Sequence, residues 1–567
     1  MRGEHPPTAA TGTAWQWFLL AAILALYAAT IARLGPAANF GAIQDDAIYF
    51  ASAKALAAGQ GYLLPSFPGG LATLKYPELY PRLLSWIWRV DPHFPDNVIP
   101  AIGLAAAFGC WFLAMCFLTA KKTMGLESGW SLAVAAFCGF NFFALLAGGS
   151  VLSDMPFAAM LLAAALAADR ALEPGAHWGW AVAAGALAGT SVGLRAVGAA
   201  AVAGIALVAL IRRAYSRAVL MGAAGGALAL PWLLPAVLRA LATRTGPAGT
   251  VPQGWAQTLA FYTSYVGQWR QFVPDWATQR SVLLKNSVGV LEDPGIYLLS
   301  PLGNRNALVS VAGGSVASLA AWAGMAARWR RGGWKAIHGM FLFYLLTILP
   351  WPFPPHRFFL PFAPLALGGL AAMTRDVAAQ VGREFRGAAP PAKRVALRQA
   401  QGRERSRTAA AALGLLIFGV GAMAAVNCGY AAPRQLAAVM AARRAALAEQ
   451  RQAYAWIRNQ TPARARFIAY DDVLLYLYTG RQAVRPIAVS SASAYRDDAA
   501  MARREAERLG DVARQVDAEY WTVSDVDFGV ELDPGRTIFR GREKQMVAHL
   551  REVFRSDRGG VRIYELK

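Results

Sequence analysis

The stretch "AWQWFLLAAILALYAATIARLGPAANFGAIQDD" (14–46) decides how the chain is read. Residues 14–34 carry no charge before Arg33, and a helix needs about 20 apolar residues to cross a bilayer core. Gly35 and Pro36 then break the run, and about a dozen residues after it stand two adjacent carboxylates, Asp45 and Asp46. An apolar span that opens onto paired acids is the pattern of a membrane helix leading into a loop that carries chemistry. Met1, Arg2 and a short polar stretch precede the span, and no small-residue cleavage site follows it. It reads as a retained first helix, not a cleaved signal.

Outward from this stretch the apolar runs continue, at 98–119, 130–148, 151–168, 178–194, 196–211, 219–240, 307–327, 336–351, 356–374 and 409–430. The expected fold is mostly α: a polytopic bundle of about 11 spans in residues 1–430, followed by a small α/β domain in 431–567. Composition agrees. Of 567 residues, 56% are hydrophobic and 16% charged, against about 25% charged in an average soluble domain. With a mean hydropathy of +0.33, this excludes a disordered chain, a disulfide scaffold and an ordinary cytosolic enzyme. The cysteines Cys110, Cys116, Cys138 and Cys428 all sit in apolar runs without metal-ligand spacing, as small core hydrophobes. The excess of Arg over Lys, with abundant Ala and Gly, points to a bacterial source.

The net charge is +22 and the pI about 10.2. Nucleic acid is one reading of such a value, but the positions of the charges give another. Lys121 and Lys122 follow the second run, Arg170 the fourth, Arg212, Arg213 and Arg217 the sixth, and Arg328, Arg330, Arg331 and Lys335 the eighth. A long basic stretch, 375–408, follows the tenth. These are all even-numbered runs, so a cytoplasmic N-terminus puts every basic loop on the cytoplasmic face of a bacterial inner membrane. The 375–408 stretch is then a mobile cytoplasmic loop. Segments 35–97, 241–306 and 431–567 fall outside. In the last, 436–458 has a helical pattern, "RFIAY" (466–470) and "EYWTVS" (519–524) read as strands, and 497–510 and 542–555 as helices.

The few polar groups near the external boundary are the candidate site. From Ala47 the pattern is helical, so Asp45 and Asp46 lie near a helix N-terminus, where the dipole favours a carboxylate. One acid suffices for a cap; a pair beside an aqueous cavity is a candidate base. In "LATLKYPELYPRLLSWIWRVDPHFPDN" (71–97), Lys75 is a candidate phosphate ligand or a lysine snorkelling to headgroups. Trp86 and Trp88 in the same segment are expected at headgroup depth. Asp154 in "VLSDMPF" (151–157), Arg195 in "SVGLRAVG" (191–198) and Arg357 in "PWPFPPHRFFLPFAPL" (350–365) stand at external span ends. Ionisable groups at such depth face a protein cavity, and Asp154 with Arg195 could also form a structural ion pair.

Taken in order, the acidic pair, "KYPELYP", "SDMPF", the Arg before an apolar run and "HRFFLPFAPL" resemble the GT-C glycosyltransferases, nearest the bacterial protein O-mannosyltransferase and aminoarabinose transferase group. The stretch "WIRNQTPARARFIAYDDVLLYLYTGR" (456–481) resembles the external domain that follows the last span in many bacterial members. The resemblance covers most of the chain. It implies a polyprenyl-phosphate-linked sugar as donor, and an inverting single displacement onto an acceptor hydroxyl of a glycan, lipid or protein at the outer face. It makes Asp45 the general base, Asp46 a supporting carboxylate, and Asp154 the group that orients acceptor or sugar. Lys75, Arg357 and Arg195 would hold the donor phosphate. Glu78 and His356 are candidates for substrate contact or for a divalent metal, and no cofactor is otherwise required. Glu78 departs from the aminoarabinose branch, where the acid precedes the Lys.

The chemistry fits. The leaving group is a phosphate monoester, which needs cationic stabilisation and no proton, while the acceptor hydroxyl needs a base. Neither a nucleotide-binding loop nor an H-E-x-x-H motif occurs. Two rivals remain. An envelope polysaccharide ligase or polymerase would take its sugar from a lipid diphosphate. A lipid or sugar transporter would show internal repeats and charges at mid-span. Sidedness is testable directly. Reporter fusions after Arg331 and within 375–408 should score cytoplasmic, and fusions after Tyr430 external; an external 375–408 loop would overturn the topology.

Overall fold

The computed structural model describes residues 14–72, 74–242, 253–302, 304, 309–386, 412, 414–416, 418–487, 495–529 and 535–566. Helices dominate. The first span is α1 (Ala14–Leu34), stopped where Gly35 takes a left-handed φ of 59° and Pro36 follows. The loop after it folds into α2 (Gln44–Ala57) and α3 (Leu79–Val90). Then come α4 (Val98–Lys122), α5 (Ser128–Phe140), α6 (Phe142–Gly148), α7 (Asp154–Ala171), α8 (Gly179–Leu194), α9 (Ala199–Ile211) and α10 (Tyr215–Ala242). The 241–306 segment, expected as a loop, carries α11 (Gln253–Thr263), α12 (Tyr265–Phe272) and α13 (Trp276–Leu299). Next come α14 (Gly314–Gly332), α15 (Ala336–Ile348) and α16 (Ala363–Arg386). The expected mobile loop begins at 375, but α16 continues through 386; most of its basic residues lie outside the described ones.

Within the described residues, the apolar runs of the sequence lie mainly on helices. By length and composition, four helices could each cross a membrane: Ala14–Leu34, Val98–Thr123, Tyr215–Pro235 and Gly414–Gln460. The run 130–148 is not one straight helix. At Asn141 the chain turns extended, and α5 and α6 meet at 66°; counted together they raise the total to five. Asn141 makes the bend hold: its Oδ1 accepts from Ala144 N at 3.0 Å and its Nδ2 donates to Cys138 O at 2.8 Å. Helices α8, α9 and α15 are apolar but only 13–16 residues long.

The C-terminal part begins with α17 (Ala432–Gln460) and forms one five-stranded sheet in the order β2-β1-β3-β5-β4. The strands are β1 (Arg466–Ala469), β2 (Gln482–Val484), β3 (Tyr520–Ser524), β4 (Arg551–Arg555) and β5 (Val561–Glu565). The first three run parallel, and β5 and β4 close the edge as an antiparallel pair. Helices α18 (Asp472–Thr479), α19 (Ala499–Ala506), α20 (Asp511–Val516) and α21 (Gly535–Val547) complete it. The helix expected over 542–555 is therefore corrected. It ends at Val547, and 551–555 pairs antiparallel with β5, because "REVFR" carries the β-favouring Val553 and Phe554 and finds a partner strand in "VRIYE". A second correction concerns Trp88. It does not face lipid but is buried in the protein, and its Nε1 donates to Phe50 O at 3.0 Å, while Trp86 is 64% exposed.

Apolar helices gain little from burial against one another in lipid, so close approach decides their packing. Glycine allows it at α9–α15, where a Cβ on Gly204 would stand 2.3 Å from Met340 N, and at α14–α16, where one on Gly324 would stand 2.0 Å from Gly369 O. Both obstacles are backbone, which cannot move aside without parting the helices. Gly204→Ala should cost about 1–3 kcal/mol or more by overpacking, read as a lower melting temperature of the detergent-solubilised protein. Gly222→Ala in α10, where the new Cβ meets nothing within 4 Å, should be neutral or raise stability by up to about 1 kcal/mol. Equal melting shifts for the two variants would refute the close-packing account.

Candidate functional site

The loop between α1 and α2 turns the acidic pair toward two different surroundings. Asp46 is fully buried, and its carboxylate accepts from Gly41 N at 3.1 Å and Ala47 N at 2.7 Å. Burial pushes its pKa well above the usual carboxylate range. Asp46 thus tethers the loop entering α2 and does not stand beside its neighbour as a second reactive carboxylate. Successive side chains on a helix point about 100° apart, which is the physical reason.

Asp45 faces the cluster. Its Oδ1 accepts from Tyr76 OH at 2.8 Å, and its Oδ2 from Arg357 Nη1 at 3.0 Å. Burial raises its pKa, but Arg357, Lys75, the Tyr76 hydrogen bond and Arg195 together bring it below the usual value, so it is ionised. Arg357 comes from the Pro-rich turn before α16, where Pro354 and Pro355 fix the backbone. It also forks onto Asp154 at the start of α7, with Nε to Oδ1 at 3.0 Å and Nη2 to Oδ2 at 2.7 Å. Arg195, extended between α8 and α9, bonds the same Oδ1. The suspected Asp154–Arg195 pair is present, and Arg357 enlarges it. The structure thus brings Asp45, Asp154, Arg195 and Arg357 together from positions up to 312 residues apart in the chain.

Lys75 is 9% exposed. Its Nζ donates to Gln268 Oε1 at 2.8 Å and sits 4.1 Å from the ring centre of Phe261 and 4.9 Å from that of Tyr76. Among the described residues no carboxylate lies within ion-pair distance of it, whereas Arg357 and Arg195 both have carboxylate partners. Burial, with a contribution from Arg485 and against the pull of Asp45, brings its pKa down to about 7. Of the three cations expected to hold phosphate, Lys75 alone lacks a carboxylate among the described residues. Such a buried cation over aromatic faces is stabilised by a mobile anion.

The remaining two candidates go elsewhere. Glu78 precedes α3 and pairs with Arg82 at 2.7 Å. His356 Nδ1 meets Asp293 Oδ1 at 2.6 Å. No group of three His, Cys, Asp or Glu side chains that could hold a metal occurs among the described residues.

The groups that hold these residues carry no motif. Tyr76 was inside the "KYPELYP" segment, but Gln268 and Tyr262 lie on α12 and α11, in a segment without a motif. Tyr262 O accepts from Lys75 N at 2.8 Å. Gln44, next to Asp45, donates to Asp472 Oδ1 at 2.9 Å, and Tyr262 OH donates to Asp472 Oδ2 at 2.5 Å. Arg485 bonds Gln44 Oε1 and stacks over Tyr470 at 4.1 Å. Through this buried network the C-terminal part touches the residues flanking Asp45 and Lys75.

No protein-family model matches the chain, and no curated protein sequence matches it. Solved structures do. ArnT from Cupriavidus metallidurans, bound to undecaprenyl phosphate, superposes over 98% of both chains with a TM-score of 0.51 at 14% identity. The archaeal oligosaccharyltransferase AglB from Archaeoglobus fulgidus, in complex with an inhibitory peptide and a dolichol-phosphate, covers 98% of this chain and 74% of its own, with a TM-score of 0.50 at 12% identity. At such identities the likeness is one of fold. The chain shares the fold of both proteins.

Proposed function

We propose that the chain is a membrane glycosyltransferase that moves a sugar from a polyprenyl-phosphate donor to an acceptor hydroxyl at the outer face of a bacterial inner membrane. In this reading about 11 spans carry residues 1–430, the N-terminus is cytoplasmic and residues 431–567 lie outside. The observation that carries it is the juxtaposition of an ionised carboxylate, Asp45, with a buried lysine that has no carboxylate partner among the described residues. That is a base next to an anion site, as single displacement from a sugar phosphate requires. The lipid phosphates bound to ArnT and AglB on the same fold support the choice of anion.

The roles follow from the contacts. Lys75 holds the donor phosphate and stabilises the charge that grows on it as the glycosidic bond breaks. Arg357 aims Asp45, through one nitrogen, while its other two fix it to Asp154. Arg357 and Arg195 supply positive field to the departing phosphate from behind that carboxylate. Asp45 accepts the proton of the acceptor hydroxyl as oxygen attacks the anomeric carbon from the face opposite the phosphate, inverting it. Tyr76 holds the other oxygen of Asp45 in place.

Two measurements test this reading, on purified protein with radiolabelled polyprenyl-phosphate sugars offered one at a time. Asp45→Asn should lower turnover by about 10² or more and leave donor binding intact, since only the proton acceptor is lost. Near wild-type turnover would remove Asp45 as the base. Donor affinity should also depend on pH in a stated direction. With a pKa of about 7, Lys75 is an ammonium below that pH and a neutral amine above it. Donor binding should therefore weaken as pH rises above about 7, by up to tenfold per pH unit, and Lys75→Gln should bind weakly with no such slope. A wild-type affinity that is flat above pH 7 would remove Lys75 from the phosphate site.

A further inference from the structure

A cleft of about 420 Å³ lies between α13, the Pro354–His356 turn and Tyr495 of the C-terminal part. Its wall includes His356, the residue before Arg357 in the chain. Val288, Ile296 and Pro355 give it apolar groups, and Asn286, Glu292 and His356 polar ones. Leu284, Val288 and Leu291, at i, i+4 and i+7 of α13, are all more than half exposed. They form an apolar stripe that runs from the cleft along the outside of the helix.

Two of the polar groups are held in place. Asn286 Nδ2 donates to Leu349 O at 3.0 Å and Trp351 O at 2.7 Å, pinning the chain before the turn, and its Oδ1 accepts from Tyr495 OH at 2.8 Å. Tyr297 OH donates to His356 O at 2.7 Å. The His356 ring is held by Asp293, which is fully buried. A carboxylate only accepts, so Nδ1 carries the proton of this bond, and in that tautomer Nε2 is left as an acceptor. Nε2 has no protein partner among the described residues, and the side chain is 32% exposed, lining the cleft. A pre-oriented acceptor atom in an amphipathic cleft recognises a hydroxyl group.

We propose that this cleft is the acceptor subsite, and that it takes a hydroxyl-bearing amphiphile. The hydroxylated head donates to His356 Nε2, and the alkyl chain leaves along Leu284, Val288 and Leu291. This rests on the glycosyl-transfer reading, since a subsite for the acceptor presupposes transfer. The donor is a poor fit here: Glu292 faces the cleft and Lys285 is paired with Asp497 at 3.1 Å, so no net positive charge awaits a phosphate. Asp293 is a positioning residue; His356 touches the ligand.

The test uses the full chain in phosphatidylcholine nanodiscs and two photoactivatable probes that share one diazirine-bearing alkyl chain. One carries a glucoside head and the other a phosphocholine head. Cross-links mapped by peptide mass spectrometry should fall within 284–296 and 354–356 for the glucoside. Labelling there should drop about tenfold in His356→Ala, the scale of one lost hydrogen bond in a dry site. Gly289→Leu should drop it similarly, because a Cβ at 289 already stands 2.8 Å from Pro355 Cγ and the side chain fills the cleft. His356→Gln, whose amide reaches the Nε2 position, should restore part of the labelling, and His356→Asn should not. Melting curves identify any variant that fails to fold, and the remaining variants then decide. Equal labelling by the two probes, labelling elsewhere only, or no change in the folded variants would overturn the proposal. Because the probes report binding without transfer, these outcomes are separate from the donor-binding and turnover tests of the glycosyltransferase reading.

Discussion

The fork of Arg357 is the interaction on which the reactive face depends. One guanidinium joins the Pro-rich turn before α16 to the start of α7 through Asp154 and to the start of α2 through Asp45. A planar, permanently charged group with fixed donors can do this; a lysine cannot reach two carboxylates in set directions. Asp154 is buried and the groups around it are largely so, and each charge is balanced by the others. Removing one partner from such a cluster typically costs about 3–5 kcal/mol, because a buried charge is left without its counter-ion. Geometry and charge state at Asp45 are therefore set by the same contact.

From that fork the electrostatics spread outward in a definite order. Asp154 is shared by two guanidinium groups and is spoken for on both sides. Asp45 has one cation and one phenol, and Lys75 has an amide and aromatic faces. The cluster thus ends in a cation whose full stabilisation awaits an added anion. In a chain with this fold, this incompleteness is more informative than the ion pairs, because a structural network would have closed on itself.

The C-terminal part is not a separate appendage. Asp472 and Arg485 reach Gln44, the neighbour of Asp45, and Tyr262, whose carbonyl holds the Lys75 amide. Tyr495 reaches Asn286 on the wall of the cleft. Both halves of the proposed chemistry, the charged cluster and the acceptor cleft, are thus braced by residues that come after the last apolar run.

The sequence by itself determined the helical membrane class, because bulk hydropathy and the lengths of apolar runs depend on composition alone. It also located the carboxylates and cations, since ionisable groups are rare enough in such a chain to stand out. The strands at 466–470 and 519–524 were legible as short β-branched and aromatic runs, whereas β4 and β5, with charged residues among their apolar ones, become strands through pairing with each other and with β3. Which of Asp45 and Asp46 faces the cluster was beyond the sequence; a rotation of one residue along α2 decides it. So was the closing of Arg357 onto Asp154 and Asp45, and the arrival of Gln268, Tyr262 and Asp293 from segments without a motif. Those contacts join residues hundreds of positions apart, and only packing in three dimensions brings such groups within the 3 Å at which charge and hydrogen bonding act.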